Sequence, residues 1–190
     1  MPSFTRLAIP ELVEILPERH GDARGYFSEV FQQEVWASGG VEVSFVQDNH
    51  SYSRDPGVLR GLHFQTLPFA QAKLVRVTRG AVFDVAVDIR KGSPTFARWV
   101  GVELTAARGN QLFVPAGFAH GFVTLEPDTE FLYKVSNPYS KAHDRAIRFD
   151  DPAINIIWPS IAGGLTLSDK DKTAPFLADI EPGFVYEGAN

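Results

Sequence analysis

The chain has 190 residues, 44% of them hydrophobic and 12% aromatic, and a formal net charge of −5. That is enough apolar material for one packed core, so a single domain spanning residues 1–190 is expected. The acidic balance leaves no footprint for nucleic acid, and the lack of any Cys excludes disulfides, thiolate metal sites and a Cys nucleophile.

The opening stretch "MPSFTRLAIPELVEILPE" has neither the basic start nor the long apolar run of a secretion signal. No segment approaches the roughly 20 apolar residues that span a bilayer. A soluble cytoplasmic protein without a membrane partner is expected. Residues 32–38 read as a short helix stopped by Gly39-Gly40. "GVLRGLHFQ" (57–65) reads as a turn and then a strand, with Arg60 and His63 interrupting an apolar run. "KLVRVTRGAVFDVAVDI" (73–89) is two strands broken at Arg79-Gly80. In its second half Val82, Asp84, Ala86 and Asp88 share one parity and Phe83, Val85, Val87 and Ile89 the other. "RWVGVELTA", "QLFVPAGFAHGFVTL" and "TEFLYKVSN" add further short strands closed by Gly, Pro, Asp or Asn, and the C-terminal part holds at most another helical turn or two. Many short strands with little helix imply an all-β sandwich or barrel.

Several polar residues stand inside these strands, where they must be satisfied or functional. His63 shares parity with Gln65, Lys73 with Val75 and Val77, Tyr133 with Phe131 and Val135, and Asp84 lies among small apolar neighbours. Taken singly, each has an ordinary explanation: an edge histidine, a core tyrosine, a surface arginine. Together in one small β protein they suggest a barrel with a polar interior, where such folds keep ligands. Arg60 and His63 have opposite parity, a tension that either Gly61 between them or a bend in the pocket wall would relieve if both face one pocket.

"GNQLFVPAGFAH" fits G-x5-P-x-G-x2-H from Gly109 to His120, the second motif of the cupin jelly rolls, with Thr124 where that motif ends in Asn. Metal-binding cupins also carry an earlier H-x-H. Here the matching stretch is "GLHFQ", with Gln65 in place of the second His, and no metal is expected. In order along the chain, "GDARGYFSEVF", "FVQDNHSYS", "GVLRGLHFQ", "AQAKLVRVTRGAVFDVAVDIRKGSPTF", "QLFVPAGFAHGF", "EFLYKVSNPYS", Trp158-Pro159 and "LSDKD" resemble the dTDP-4-dehydrorhamnose 3,5-epimerases. These are the RmlC-like sugar-nucleotide epimerases of the cupin superfamily.

The resemblance implies a cupin-type jelly-roll barrel with a few short helices and a homodimer whose N-terminal segments reach the partner's site. It implies His63 as general base, Tyr133 as general acid, and Asp171 as the carboxylate that orients His63. Arg24, Glu29, Gln47, Asn49, Arg60, Lys73, His120, Asp144 and Lys170 take positions at which the family contacts substrate, and Tyr139 the position of an aromatic that stacks on thymine. Arg24 and Glu29 are expected to serve the neighbouring subunit. The implied substrate is a dTDP-linked 4-keto-6-deoxyhexose. Its C3 and C5 protons flank the C4 ketone, so loss of either gives an enolate and no cofactor is needed. A neutral imidazole backed by a carboxylate suits the base, a Tyr hydroxyl the acid, and guanidinium groups the diphosphate. The same residues would serve an enzyme that inverts only C3 or only C5. A metal-dependent cupin enzyme and a non-catalytic sugar-binding cupin are further alternatives.

Overall fold

The computed structural model describes residues 1–188. Among the described residues, thirteen strands form three antiparallel sheets. The N-terminal residues supply β1 (Ser3–Arg6), β2 (Val13–Leu16) and a small hairpin of β3 (His20–Asp22) and β4 (Gly25–Phe27). The predicted helix is α1 (Gln33–Ser38), with Gln32 as its N-cap and Gly39 as its C-cap. Then follow β5 (Gln47–Ser53), β6 (Leu59–Gln65), β7 (Lys73–Arg79), β8 (Ala81–Asp88), β9 (Trp99–Thr105), β10 (Gln111–Val114), β11 (Phe118–Thr124), β12 (Thr129–Val135) and β13 (Asp144–Ala146). A four-residue helix, α2 (Asp169–Lys172), and a 3-10 turn at Leu177–Asp179 complete the elements among the described residues.

The six-stranded sheet runs β1-β2-β10-β7-β12-β5 and the five-stranded sheet β13-β6-β11-β8-β9. Between them lies a core of Val75, Val77, Val82, Ala86, Leu104, Leu112, Phe118, Phe122 and Phe131. This is the expected jelly-roll sandwich. The two parities of β8 both prove apolar for a structural reason. Val82 and Ala86 enter the inter-sheet core, while Val85, Val87 and Ile89 pack against Ile147, Ile154 and Leu177 of the C-terminal segment. A sheet covered on both faces loses the polar alternation of a half-exposed strand. A third cluster around Trp36 covers the outer side of the six-stranded sheet.

Two features place the site. The first is an irregularity in the pairing of β11 with β6: His120 opposes His63 and Phe122 opposes Arg60. Two steps on β11 thus match three on β6, which reverses side-chain parity within β6. Gly61 sits in this bulge at φ +134°, and a Cβ there would meet Gly121 Cα at 2.5 Å. Only glycine fits so close an approach. The second is a staple on the C-terminal segment. Leu59 N–H donates to Thr166 O at 2.9 Å and Thr166 N–H to Gly57 O at 2.8 Å, laying residues 166–171 beside β6. No helix among the described residues is long and apolar enough to cross a membrane.

Candidate active site

Between the two sheets a cavity of about 420 Å3 is lined by Arg60 and His63 from β6, Lys73 from β7, His120 from β11, Tyr133 from β12, and Asp171 from α2. The bulge at Gly61 is what lets Arg60 and His63 face it together. An adjoining recess of about 200 Å3 shares His63, Lys73 and Tyr133, and adds Gln47, Asn49, Tyr139, Asp144 and Lys170. Eleven of the thirteen residues singled out in the sequence therefore line one continuous cleft. Arg24 and Glu29 do not. Arg24 lies on the turn between β3 and β4, 89% exposed and paired with Asp22, and Glu29 is exposed on the way to α1.

The centre of the cleft is a dyad. His63 Nε2 lies 2.6 Å from Asp171 Oδ1, the two residues being 108 positions apart in the chain. With Nε2–H donated to the carboxylate, Nδ1 keeps the free lone pair of a base. Burial pushes the Asp171 carboxyl up. Bonds from His63, the Ser168 hydroxyl and the Gly61 N–H outweigh this and hold it below the usual carboxylate range. Tyr133 is raised, chiefly by burial, so its hydroxyl is protonated at neutral pH. Lys73 Nζ donates to His63 O at 3.3 Å. Burial pushes this ammonium from 10.5 down to about 8, against the attraction of Asp84 and Asp144. A second pair lies deeper: His120 Nε2 is 3.0 Å from both Asp84 oxygens, and burial pushes His120 down against the pull of that carboxylate. An imidazole backed by a carboxylate, a protonated acid and a buried cation thus share one space. That combination can move a proton off carbon and hold the charge that develops.

The outer recess is built around amides. Gln47 Oε1 accepts from Tyr139 N–H at 3.1 Å and its Nε2 donates to Asn49 Oδ1 at 2.8 Å, which fixes the Tyr139 loop. Lys170 pairs with Asp144. Gln65 is committed to the same loop: Nε2 donates to Phe69 O and Pro138 O, and Oε1 accepts from Ser140 N–H at 2.6 Å. The residue standing where a metal-binding cupin has its second His is therefore spent as a loop clamp. Behind these strands another recess of about 390 Å3, lined by Phe31, Leu74, Arg76, Gln111 and Leu132, opens on the other face of the six-stranded sheet.

Sequence reading missed Ser51, Phe122, Phe131, Thr166, Leu167 and Ser168 in the cavity wall. Phe122 and Phe131 stack with centroids 4.0 Å apart and belong to the inter-sheet core as well as to the cavity wall. Ser168 carried a readable signal, since a Ser before Asp-Lys-Asp is an N-cap pattern. Asp84 and Asp88 drew attention together but separate in the fold. Asp84 meets His120, whereas Asp88 accepts from Arg90, Ser93 and Thr95 in a structural network away from the cleft.

A family model described as dTDP-4-dehydrorhamnose 3,5-epimerase matches residues 6–179. A dTDP-4-dehydrorhamnose 3,5-epimerase of Sinorhizobium fredii is 54% identical over 183 residues, 96% of this chain and 93% of that protein. The crystal structure of a dTDP-6-deoxy-D-glucose-3,5-epimerase from Legionella pneumophila with dTDP-4-keto-L-rhamnose bound superposes with a TM-score of 0.94 at 42% identity, covering 99% of this chain and 100% of that one. A 3′-monoepimerase from Streptomyces bikiniensis in complex with dTDP-quinovose follows the same fold at 36% identity and a TM-score of 0.83, over 90% of this chain and 86% of that one. Model, sequence and structure agree over nearly the whole length, and the chain belongs to the dTDP-4-dehydrorhamnose 3,5-epimerase family.

Proposed function

We propose that the protein epimerises C3 and C5 of dTDP-4-dehydro-6-deoxy-D-glucose, giving dTDP-4-dehydro-L-rhamnose, by a cofactor-independent route. The observation that carries this reading is the His63–Asp171 dyad lining the same cavity as Tyr133 and the buried Lys73. His63 Nδ1 removes the proton from the carbon beside the C4 ketone, and the electron pair of that C–H bond passes to the ketone oxygen. The Lys73 ammonium stabilises the resulting enolate, a contribution of about 3 kcal/mol in sites of this type. Asp171 supports the imidazolium that forms. Tyr133 then delivers its hydroxyl proton to the opposite face of the carbon, which inverts it. The sequence repeats at the second carbon after His63 and Tyr133 exchange protons with water. The ketone is the electron sink throughout, so the chemistry calls for no redox group.

Arg60 and Lys170 hold the diphosphate and Tyr139, 59% exposed, offers its ring to the nucleobase. The protein acts as a homodimer in the cytoplasm, where a charged, membrane-impermeant nucleotide sugar is available. The β3–β4 hairpin supports the dimer: it pairs only with itself, exposes Tyr26 and Phe27 by 62% and 71%, and carries Arg24 away from its own cleft. Such an arm reaches a partner's cleft and brings Arg24 and Glu29 to it.

Proton NMR with the substrate in D2O tests the reading. Deuterium is expected at both C3 and C5, with the product trapped by a 4-ketoreductase as the rhamnose nucleotide. Exchange at one carbon alone makes the protein a mono-epimerase, as the relative from Streptomyces bikiniensis is described. Exchange at neither overturns the base assignment.

A further inference from the structure

We infer that Gln65 is a positioning residue for recognition of the nucleobase, acting through the loop that carries Tyr139, on the reading above that the Tyr139 ring meets the base. Gln65 is the last residue of β6 and is 4% exposed. Its amide grips the loop on both sides of Tyr139. Nε2 donates to Pro138 O at 3.1 Å and to Phe69 O at 2.7 Å, and Oε1 accepts from Ser140 N–H at 2.6 Å. Two carbonyls at one end and an N–H at the other admit a single orientation of the amide. Both Nε2 hydrogens are taken, so the side chain has no donor left for a ligand although it borders the outer recess.

Tyr139 needs such support. Its ring is exposed, and its hydroxyl reaches Asp144 only at 3.4 Å, so the backbone on either side decides where the ring stands. Gln47 holds the Tyr139 N–H, and Gln65 holds Pro138 and Ser140. At the near end of the loop Gln71 Nε2 donates to Asn137 O at 2.7 Å, and at the far end Ser140 Oγ lies 2.8 Å from His143 Nδ1. Among these ties, the one from Gln65 comes from the strand that carries His63. One stretch of β6 thus presents the base of the dyad and, two residues on, fixes the loop at the nucleoside end of the cleft. A loop settled before the ligand arrives loses little further freedom on binding, and the difference appears as affinity. Loss of the clamp weakens nucleoside recognition and leaves the diphosphate and the reacting sugar alone.

Gln65→Met keeps the length of the side chain and removes all three bonds. Calorimetric titration with dTDP reads the nucleoside end, inhibition by inorganic diphosphate reads the phosphate end, and the coupled reductase assay gives kcat and KM. Gln65→Met is expected to weaken dTDP binding and raise KM about tenfold, the scale of ordering one side chain and its loop on binding. Saturated kcat and inhibition by diphosphate stay within twofold. In a Tyr139→Ala background the same change is expected to alter dTDP binding less than twofold, because the clamp has no ring left to place. Gln65→Asn keeps an amide that stops short of the loop and is expected to fall between the two. It is read by the same criteria if Gln65→Met melts below the assay temperature. Normal dTDP affinity in these variants overturns the inference. So does a tenfold loss that persists in the Tyr139→Ala background, a parallel loss of diphosphate inhibition, or a fall in kcat at unchanged KM, which would put the effect on the dyad. Tyr139→Ala is the reference for the underlying reading: if that variant binds dTDP normally, the base does not meet Tyr139 and the inference falls with it.

Discussion

Replacing Lys73 by Met separates two consequences of placing an ammonium group inside the cleft. Lys73 is 8% exposed, and burial lowers it from 10.5 to about 8 against the attraction of Asp84 and Asp144. A depression of that size corresponds to about 3 kcal/mol by which the charged side chain opposes folding. Below about pH 8 the native lysine is charged, so the wild type bears the whole of this cost. Between about 8 and 10.5 the native lysine is neutral while the unfolded one is still charged, and the cost declines. Above 10.5 both are neutral and it is gone. Lys73→Met fills similar space without the charge. It is expected to be more stable than the wild type by about 3 kcal/mol at pH 7, roughly 6–12 °C in melting temperature for a chain of this size. The advantage falls to less than about half by pH 9.5. The same variant loses the charge proposed to stabilise the enolate, so its kcat is expected to drop about 10²–10³-fold at pH 7. Urea titrations at pH 7 and 9.5 measure the first effect and the coupled reductase assay the second. A variant no more stable than the wild type at pH 7, or one whose advantage persists unchanged at pH 9.5, refutes the burial argument. A variant with normal turnover refutes the role of the charge.

Tyr133→Phe keeps the proposed base and loses the proposed acid. It is expected to wash deuterium into substrate while forming little epimer, as read by NMR and by the coupled assay; normal epimerisation assigns the acid to another group. Gly61→Ala puts a Cβ 2.5 Å from Gly121 Cα at a backbone angle that only glycine adopts readily, so it is expected to cost more than about 2 kcal/mol in denaturant titration and to remove activity with it. Arg24→Ala touches only an exposed hairpin, so its melting temperature stays put while KM rises. Co-expressed with His63→Ala and assayed at limiting substrate, it is expected to regain up to about a quarter of wild-type activity, because in the proposed homodimer each mixed pair holds one complete cleft. No recovery in dimers shown to be mixed removes Arg24 from the partner's site.

Much of this was legible in the order of residues. The helix 32–38 and its stop, the hairpin break at Gly80, and the strands through residues 59–65, 73–88 and 111–135 appear as expected, because alternation, β-branched side chains and Gly or Pro punctuation are local signals. Strands β5 and β13 and the four N-terminal strands gave no such signal. In "QDNHSYS" the inward residues line a polar cleft and the outward ones meet solvent, so neither parity is apolar. The polar residues inside apolar strands pointed to a cleft, and motif resemblance supplied their roles.

Chain order alone therefore determined which chemical groups are present and that several stand where a core would not tolerate them without purpose. Only the tertiary structure decided how they meet. His63 and Asp171 are brought together across 108 positions by a staple at Thr166. Arg60 and His63 share a face because an extra residue in β6 undoes their opposite parity. Arg24, on the exposed β3–β4 hairpin, and Glu29, exposed between that hairpin and α1, lie outside the cleft to which the motif assigns them. The physical reason is common to all three. Strand register and burial are set by pairing between distant segments, and the charge on Lys73 or the orientation of Asp171 follows from what surrounds the group in space, not from its neighbours in the chain.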